Sequence, residues 1–396
     1  MNFIFVSPNF PQTYWNFCDR LHADGVTVLG IGDEPYDSLH AELKRSLSDY
    51  YKVDSLSDYD QVFRAVAFFS FKYGKIDWIE SNNEAWLEND ARIRKDFNIT
   101  TGVDTDAIAP FKSKTVQKIY YAKGKVPTAR QHKVSGIEAA REFISVAGYP
   151  VFVKPEVGVG AAASYKISDE EGLVRFFDTK PPVPYVMEEF VTGDIYSYDA
   201  IVDSKGKPLF ESATKFPPSM ADIANNGWDC CYYVLKTIPA QLRKYGRATL
   251  KAFGVKSRFV HLEFFRLTVD KPGLGNKGDF VGLETNMRPA GGFTPDMMDY
   301  AHATDVYKIW ADMVAFDART LPEIPEDDHF CVHYGRRDGK AYVHGHDEVM
   351  AKYGPRMAMQ CRIPDVLSND LGNIMYMIHA YSLKEVEEFE AWMGES

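Results

Sequence analysis

Gly282-Leu283-Glu284-Thr285-Asn286-Met287-Arg288 is the stretch on which the reading of this chain turns. It carries an acid, an amide and a guanidinium at every second position. Side chains two apart on a strand share a face, so Glu284, Asn286 and Arg288 project together if the strand runs that far. Upstream, His261-Leu262-Glu263-Phe264-Phe265 has the alternation of a second strand. Antiparallel pairing of the two would add Glu263 to the same face. Two carboxylates and an amide oxygen are hard donors of the kind Mg2+ takes, and a guanidinium can clamp phosphate or carboxylate oxygens. The plainer alternative is a row of exposed, or mutually satisfied, polar positions.

Working outward, Val151-Phe152-Val153-Lys154-Pro155 ends an apolar strand on a lysine. A lysine there is costly unless it meets an anion or reaches solvent. The loop Gly158-Val159-Gly160-Ala161-Ala162-Ala163 follows, small enough for its backbone N–H groups to close over phosphates. It is not a Walker A sequence. Tyr185-Val186-Met187-Glu188-Glu189-Phe190-Val191 alternates and then turns. Such a segment can show adenine both an N–H and a C=O, or it can be an ordinary strand end.

The wider chain supplies the frame. Its 396 residues exceed one ordinary core, so two or three packed units are expected. Residues 1–110 alternate strands (2–7, 26–30, 52–53, 77–81) with helices (15–23, 58–73), the pattern of a small open parallel sheet. Ser7-Pro8-Asn9-Phe10 follows its first strand, where such sheets bind ligands. No Gly-x-Gly-x-x-Gly accompanies it, which leaves a nicotinamide dinucleotide without support. Residues 111–190 predict a small α+β unit. Residues 191–396 predict a hairpin turning at Lys205-Gly206, a helix over 239–253 and strands over 259–267 and 280–285.

Composition excludes several classes. The formal charge of −11 disfavours nucleic acid and anionic membrane. The apolar runs are strand-length, too short for a membrane span, and the N-terminal stretch lacks the basic and apolar regions of a secretory signal. Five scattered cysteines, none in a Cys-x-x-Cys, predict reduced thiols and a cytoplasmic protein. His333, His344 and His346 predict solvent-facing imidazoles rather than a zinc site. Gly335 to Lys340 predicts a hairpin tip with Arg336 and Arg337 exposed.

Taken in this order, the motifs resemble the ATP-grasp superfamily over roughly residues 110–310, most clearly its carboxylate-amine ligase group, which includes amino-acid ligases and relatives of biotin carboxylase. The resemblance implies an α/β N-terminal domain followed by an ATP-grasp fold of two α+β lobes. It implies that Lys114 and Lys154 are the ATP lysines and Gly158, Gly160, Ala161 and Ala162 the mobile lid. Glu188, Glu189, Phe190 and Val191 become the adenine hinge, with Glu188 contributing its side chain. Glu263, Glu284 and Asn286 become metal ligands, and Arg288 stabilises the transferred phosphoryl group or the acyl phosphate. Two positions depart from the pattern. Ser113 stands where an aspartate usually precedes the first lysine, and Ile195 where an acid usually holds the ribose, leaving Asp194 or Asp199 as substitutes.

What the resemblance implies chemically is an ADP-forming ligase using ATP and Mg2+, two ions, with Mn2+ as a substitute. A small carboxylic acid would become an acyl phosphate, and an amine would attack it, plausibly in amino-acid ligation. A homodimer is compatible with the superfamily. The alternatives are a carboxylase or carbamoyl-phosphate-type enzyme, and a non-catalytic nucleotide-binding protein. The stretch from Thr214 to Trp228 is expected to cover the acceptor side, or to pack as an Ω-loop. Gly291-Gly292 offers backbone N–H groups to a substrate, or simply turns the chain.

Overall fold

The computed structural model describes residues 1–157, 163–217, 223–224, 226–325 and 328–396. The first unit runs β1 (Asn2–Val6), α1 (Trp15–Ala23), β2 (Thr27–Gly32), α2 (Ala41–Ser46), β3 (Asp49–Lys52), α3 (Tyr59–Tyr73), β4 (Trp78–Glu80) and α4 (Leu87–Asp96). Its four strands are parallel in the order β3-β2-β1-β4. Asp58 caps α3 by accepting the backbone N–H groups of Asp60 and Gln61, a contact of the kind usually worth about 1 kcal/mol.

One face of this sheet packs Ile4, Leu29 and Ile79 against Val62, Val66 and Phe69 of α3. The other face does not close within the unit. Phe3, Phe5 and Phe17 pack on Tyr307 and Trp310, more than 280 residues away in sequence. The first 110 residues and the end of the chain therefore share one core.

The second unit contains α5 (Ala109–Lys112), α6 (Lys114–Lys123), β5 (Gln131–Lys133), α7 (Ile137–Ala147), β6 (Val151–Pro155), β7 (Tyr165–Ile167), α8 (Glu170–Thr179) and β8 (Tyr185–Glu189). Its strands form an antiparallel sheet, β5-β8-β6-β7, with α7 and α8 on the apolar face. The third unit contains β9 (Gly193–Val202), β10 (Pro208–Lys215), β11 (Cys230–Val234), α9 (Ala240–Phe253), β12 (Arg258–Leu267), β13 (Phe280–Asn286), α10 (Thr294–Ala301), α11 (Val306–Phe316), β14 (Phe330–Arg336), α12 (His346–Tyr353), β15 (Met357–Arg362), α13 (Asp365–Leu371), β16 (Ile374–Ala380) and α14 (Leu383–Gly394). Its antiparallel sheet has the order β13-β12-β9-β10-β11-β14-β16-β15. The hairpin turning at Lys205-Gly206 joins β9 to β10, with Gly206 at φ +81°.

Some expectations for the last 85 residues fail. His333 is fully buried in β14, its ring tilted against that of Tyr232 with centroids 4.6 Å apart. His344 is half-buried, stacked on Trp392 at 3.9 Å, whereas His346, at the start of α12, is exposed as expected. Arg336 is buried, donating to the carbonyls of Met393 and His344, and Arg337 donates to those of Trp228 and Asn369. The arginines tie the C-terminal helices to the sheet, because nearby helix ends supply unpaired carbonyls. The five cysteines are all free thiols. No helix among the described residues is long and apolar enough to cross a membrane.

Candidate active site

β12 and β13 pair antiparallel in the register that puts Glu263 opposite Glu284 and His261 opposite Asn286. The two carboxylates therefore stand side by side, with the Asn286 amide one step along the same face. Helix α6 is bolted to the far strand. Gln117 brackets Thr285, donating to its C=O at 2.9 Å and accepting from its N–H at 3.2 Å, and the Thr285 hydroxyl donates to Tyr121 at 2.7 Å. Lys114, in the first turn of that helix, thereby brings its Nζ to 3.1 Å from Glu284 Oε1. Ser113 caps α6 through the Val116 N–H. Serine performs the capping role an aspartate would perform there.

Lys154, next to last in β6, points at the same cluster. Its Nζ lies 2.9 Å from Glu188 Oε2, while Lys118 Nζ lies 2.9 Å from Glu188 Oε1. The Lys118 contact is close in distance but off hydrogen-bond angle, leaving a buried donor and acceptor poorly satisfied. Burial opposes ionisation of Glu188, but the two lysines outweigh it and hold the carboxyl at about 2. Burial pulls the Lys154 ammonium down, but Glu188, then Glu284 and Glu263, leave it above the usual lysine value. Lys118 is held below that value by burial, with Glu188 opposing. The Glu188 side chain is thus engaged with lysines rather than presented alone to a base. Lys118 was not singled out from the sequence; its place four residues after Lys114, on one helical face, was the available signal.

His261 links Glu263 to the next strand inward. Its Nδ1 is 2.7 Å from Asp199 Oδ1 and its Nε2 is 3.1 Å from Glu263 Oε1. Asp199 is fully buried and also accepts from Ser197. That placement corrects the expectation that Asp199 could reach a ribose, because its oxygens are already engaged inside the sheet. Asp194 remains at the start of β9, partly exposed and 3.9 Å from Lys215 Nζ. The Glu263 carboxyl is disfavoured by burial, yet His261, Arg288 and Lys154 hold it below its usual range.

In the segment expected to form the hinge, the Glu189 N–H donates to the Arg130 C=O, and the Arg130 N–H donates back to Glu189 Oε1. Lys271 donates to the Phe190 C=O, and Lys166 sits over the Phe190 ring at 4.4 Å. Val191 is buried beside Leu267 and Val281. Arg288 follows β13 and donates to the Pro289 C=O at 2.8 Å. Gly292, at φ +62°, turns the chain into α10, and its neighbour Gly291 accepts from the Thr294 hydroxyl. Trp228, at the end of the stretch expected to cover the acceptor side, is 56% exposed. Gly158, Gly160, Ala161 and Ala162 lie outside the described residues.

Among the described residues no three His, Cys, Asp or Glu side chains converge as a metal cluster. Two carboxylates with one amide still fit Mg2+. That ion keeps several waters and takes one or two protein carboxylates together with substrate phosphates. Lys114, Lys118 and Lys154 adjoin this cluster and gather positive charge beside its carboxylates.

No family model matches the chain. A curated relative, the chloroplastic phosphoribosylamine–glycine ligase of Arabidopsis thaliana, is 28% identical over 123 residues, 29% of this chain; the match spans 23% of that relative's length. Among solved structures, an L-amino acid ligase from Bacillus licheniformis superposes with a TM-score of 0.71 at 13% identity, covering 99% of this chain and 96% of that one. The biotin carboxylase domain of the Hydrogenobacter thermophilus 2-oxoglutarate carboxylase, in complex with MgADP and bicarbonate, gives 0.69 at 15%, covering 99% and 89%. The chain has the ATP-grasp fold: an N-terminal α/β domain followed by two α+β lobes.

Proposed function

We propose that this protein is a cytoplasmic, ADP-forming carboxylate-amine ligase that joins a small carboxylic acid to an amine, with an amino-acid pair as its substrates. The observation that carries the reading is the Glu263–Glu284 pair, with Asn286 on the same face and Lys114 and Lys154 turned towards it. In the proposed division of the chain, residues 1–110 precede a small lobe, 111–190, and a large lobe, 191–396.

In this reading a carboxylate oxygen attacks the γ-phosphorus and ADP leaves. The amine nitrogen then attacks the acyl carbon, phosphate leaves, and the nitrogen loses a proton. Two anions must approach one another, so charge neutralisation matters more than a dedicated base. Mg2+ held by Glu263, Glu284 and Asn286 would supply part of that neutralisation. Lys154 and Lys114 gather phosphate oxygens, and Arg288 stabilises the transferred group. The hinge from Glu188 to Val191 reads the base, with Asp194 near the ribose.

The test is a screen of purified protein with Mg-ATP against single carboxylic acids, amino-acid pairs and bicarbonate, reading nucleotide product and coupled mass. ADP with a condensed pair supports the ligase, and Glu284→Ala should then abolish turnover. Bicarbonate-dependent ADP release would favour a carboxylase or carbamoyl-phosphate-type enzyme. AMP would overturn the acyl-phosphate route. Mg-ATP binding unaltered by any acceptor would favour a nucleotide sensor.

A further inference from the structure

Three charged side chains far from one another in sequence meet in the interior: Glu80, Arg94 and Arg258, each no more than 3% exposed. Arg258 opens β12. One arm of its guanidinium donates to the Met287 C=O at 2.7 Å, and the other to Glu80 Oε2 at 2.6 Å. Arg94 shares that oxygen at 3.0 Å and donates to the Ile79 C=O. The other Glu80 oxygen accepts the N–H groups of Ser81 and Asn82.

Met287 lies between Asn286 and Arg288, one residue past the last pair of the β12–β13 ladder. Its carbonyl has no strand partner there, and Arg258 supplies one. Glu80 ends the last strand of the first unit and also orders the loop after it, where Tyr14 donates to the Asn82 C=O. Burial raises the Tyr14 phenol's pKa, and Arg288 lies close enough to oppose that rise in part.

We infer that Arg258, oriented by Glu80, is a positioning residue that fixes the backbone carrying Asn286 and Arg288 relative to the N-terminal unit. This rests on the proposed ligase reading for its effect on turnover, but not for its effect on the backbone. Planarity matters, because the guanidinium serves two fixed acceptors at once and an ammonium does not reproduce that fork. Arg94 belongs to the same buried cluster but does not touch Met287, so it serves as the matched control.

The experiment compares Arg258→Lys with Arg94→Lys in the full chain. Hydrogen exchange of peptides spanning 284–290 is read first, then thermal stability, Mg-ATP affinity by calorimetry, and the Mg2+ dependence of acceptor-stimulated ADP release. R258K should speed exchange at 286–289, lower kcat and raise the Mg2+ half-saturation by about 10–100-fold, the range typical of lost supporting contacts at metal sites. ATP affinity should hold. R94K should lose comparable stability while leaving 286–289 protected and kcat unchanged. Unchanged exchange and kcat in R258K, or equal losses in R94K, would overturn the inference. If R258K does not fold, Glu80→Gln carries the test: protection retained at 286–289 refutes the link. Absence of Mg-ATP binding in the unaltered protein would sink the ligase reading instead, while the exchange pattern still decides the positioning role.

Discussion

Lys118 of α6 lies within 2.9 Å of Glu188 on β8, inside the second unit. Glu188 also meets Lys154, so a single carboxylate holds two ammonium groups where the phosphate chain is proposed to lie. Its folded pKa, about 2, is below the ordinary glutamate value, because the lysines outweigh the effect of burial. The stabilising contribution is therefore present above the unfolded pKa and is lost as pH falls towards 2. Lys118→Met leaves Glu188 with one partner and raises its folded pKa, so its acid-linked loss of stability should be smaller and complete at a higher pH. Acid unfolding followed by circular dichroism checks this; superimposable profiles would mean that Lys118 does not hold the carboxylate.

Asp199→Asn should cost stability and cation affinity together. Asp199 is fully buried against His261, which touches Glu263. Breaking a buried charge-assisted pair costs about 3–5 kcal/mol, read as a lower urea midpoint. With the imidazole no longer held, Mn2+ titration by electron paramagnetic resonance should show affinity down about 10–100-fold. Wild-type Mn2+ affinity in a destabilised variant would leave Asp199 a purely structural role.

His333 sets a second pH dependence. Burial depresses its imidazole to about 4, with the Leu371 carbonyl opposing weakly. Between pH 6.5 and 4 the unfolded chain binds a proton that the folded chain does not. Stability is then full above about pH 6.5 and falls below it, by about 3 kcal/mol at the limit. His333→Phe should flatten that part of the stability–pH curve. An equal slope in the variant would assign the loss to other groups.

Gly246→Ala should destabilise without changing the site's chemistry. A β-carbon there would stand 2.3 Å from Cγ of Tyr198, so α9 must lift off the ring. Overpacking of this kind costs about 1–3 kcal/mol. A melting temperature equal to the parent's would show that the helix can shift freely.

Much of the site was legible along the chain because strand periodicity is strict. Glu284 and Asn286 share a face by alternation, and β12 and β13 are long enough to make their pairing the natural one. The conflicts arose where a side chain's use depends on a distant partner. Asp199 looked available to a ribose, but β12 brings His261 against it. Arg336 looked like a loop-tip charge, but α14 returns to place the Met393 carbonyl beside it. Lys118 carried only a weak helical-spacing signal.

The sequence by itself determined the alternating elements, the shared face of Glu284 and Asn286, and the order in which the lysines precede them. These follow from local periodicity and from the chemistry of each side chain. Only the tertiary structure decided that Glu188 is shared between two lysines, and that Glu80 holds Arg258 across 178 residues to secure the Met287 carbonyl. Buried charges must find partners, and no pattern along the chain says which distant residue will be brought near enough to serve.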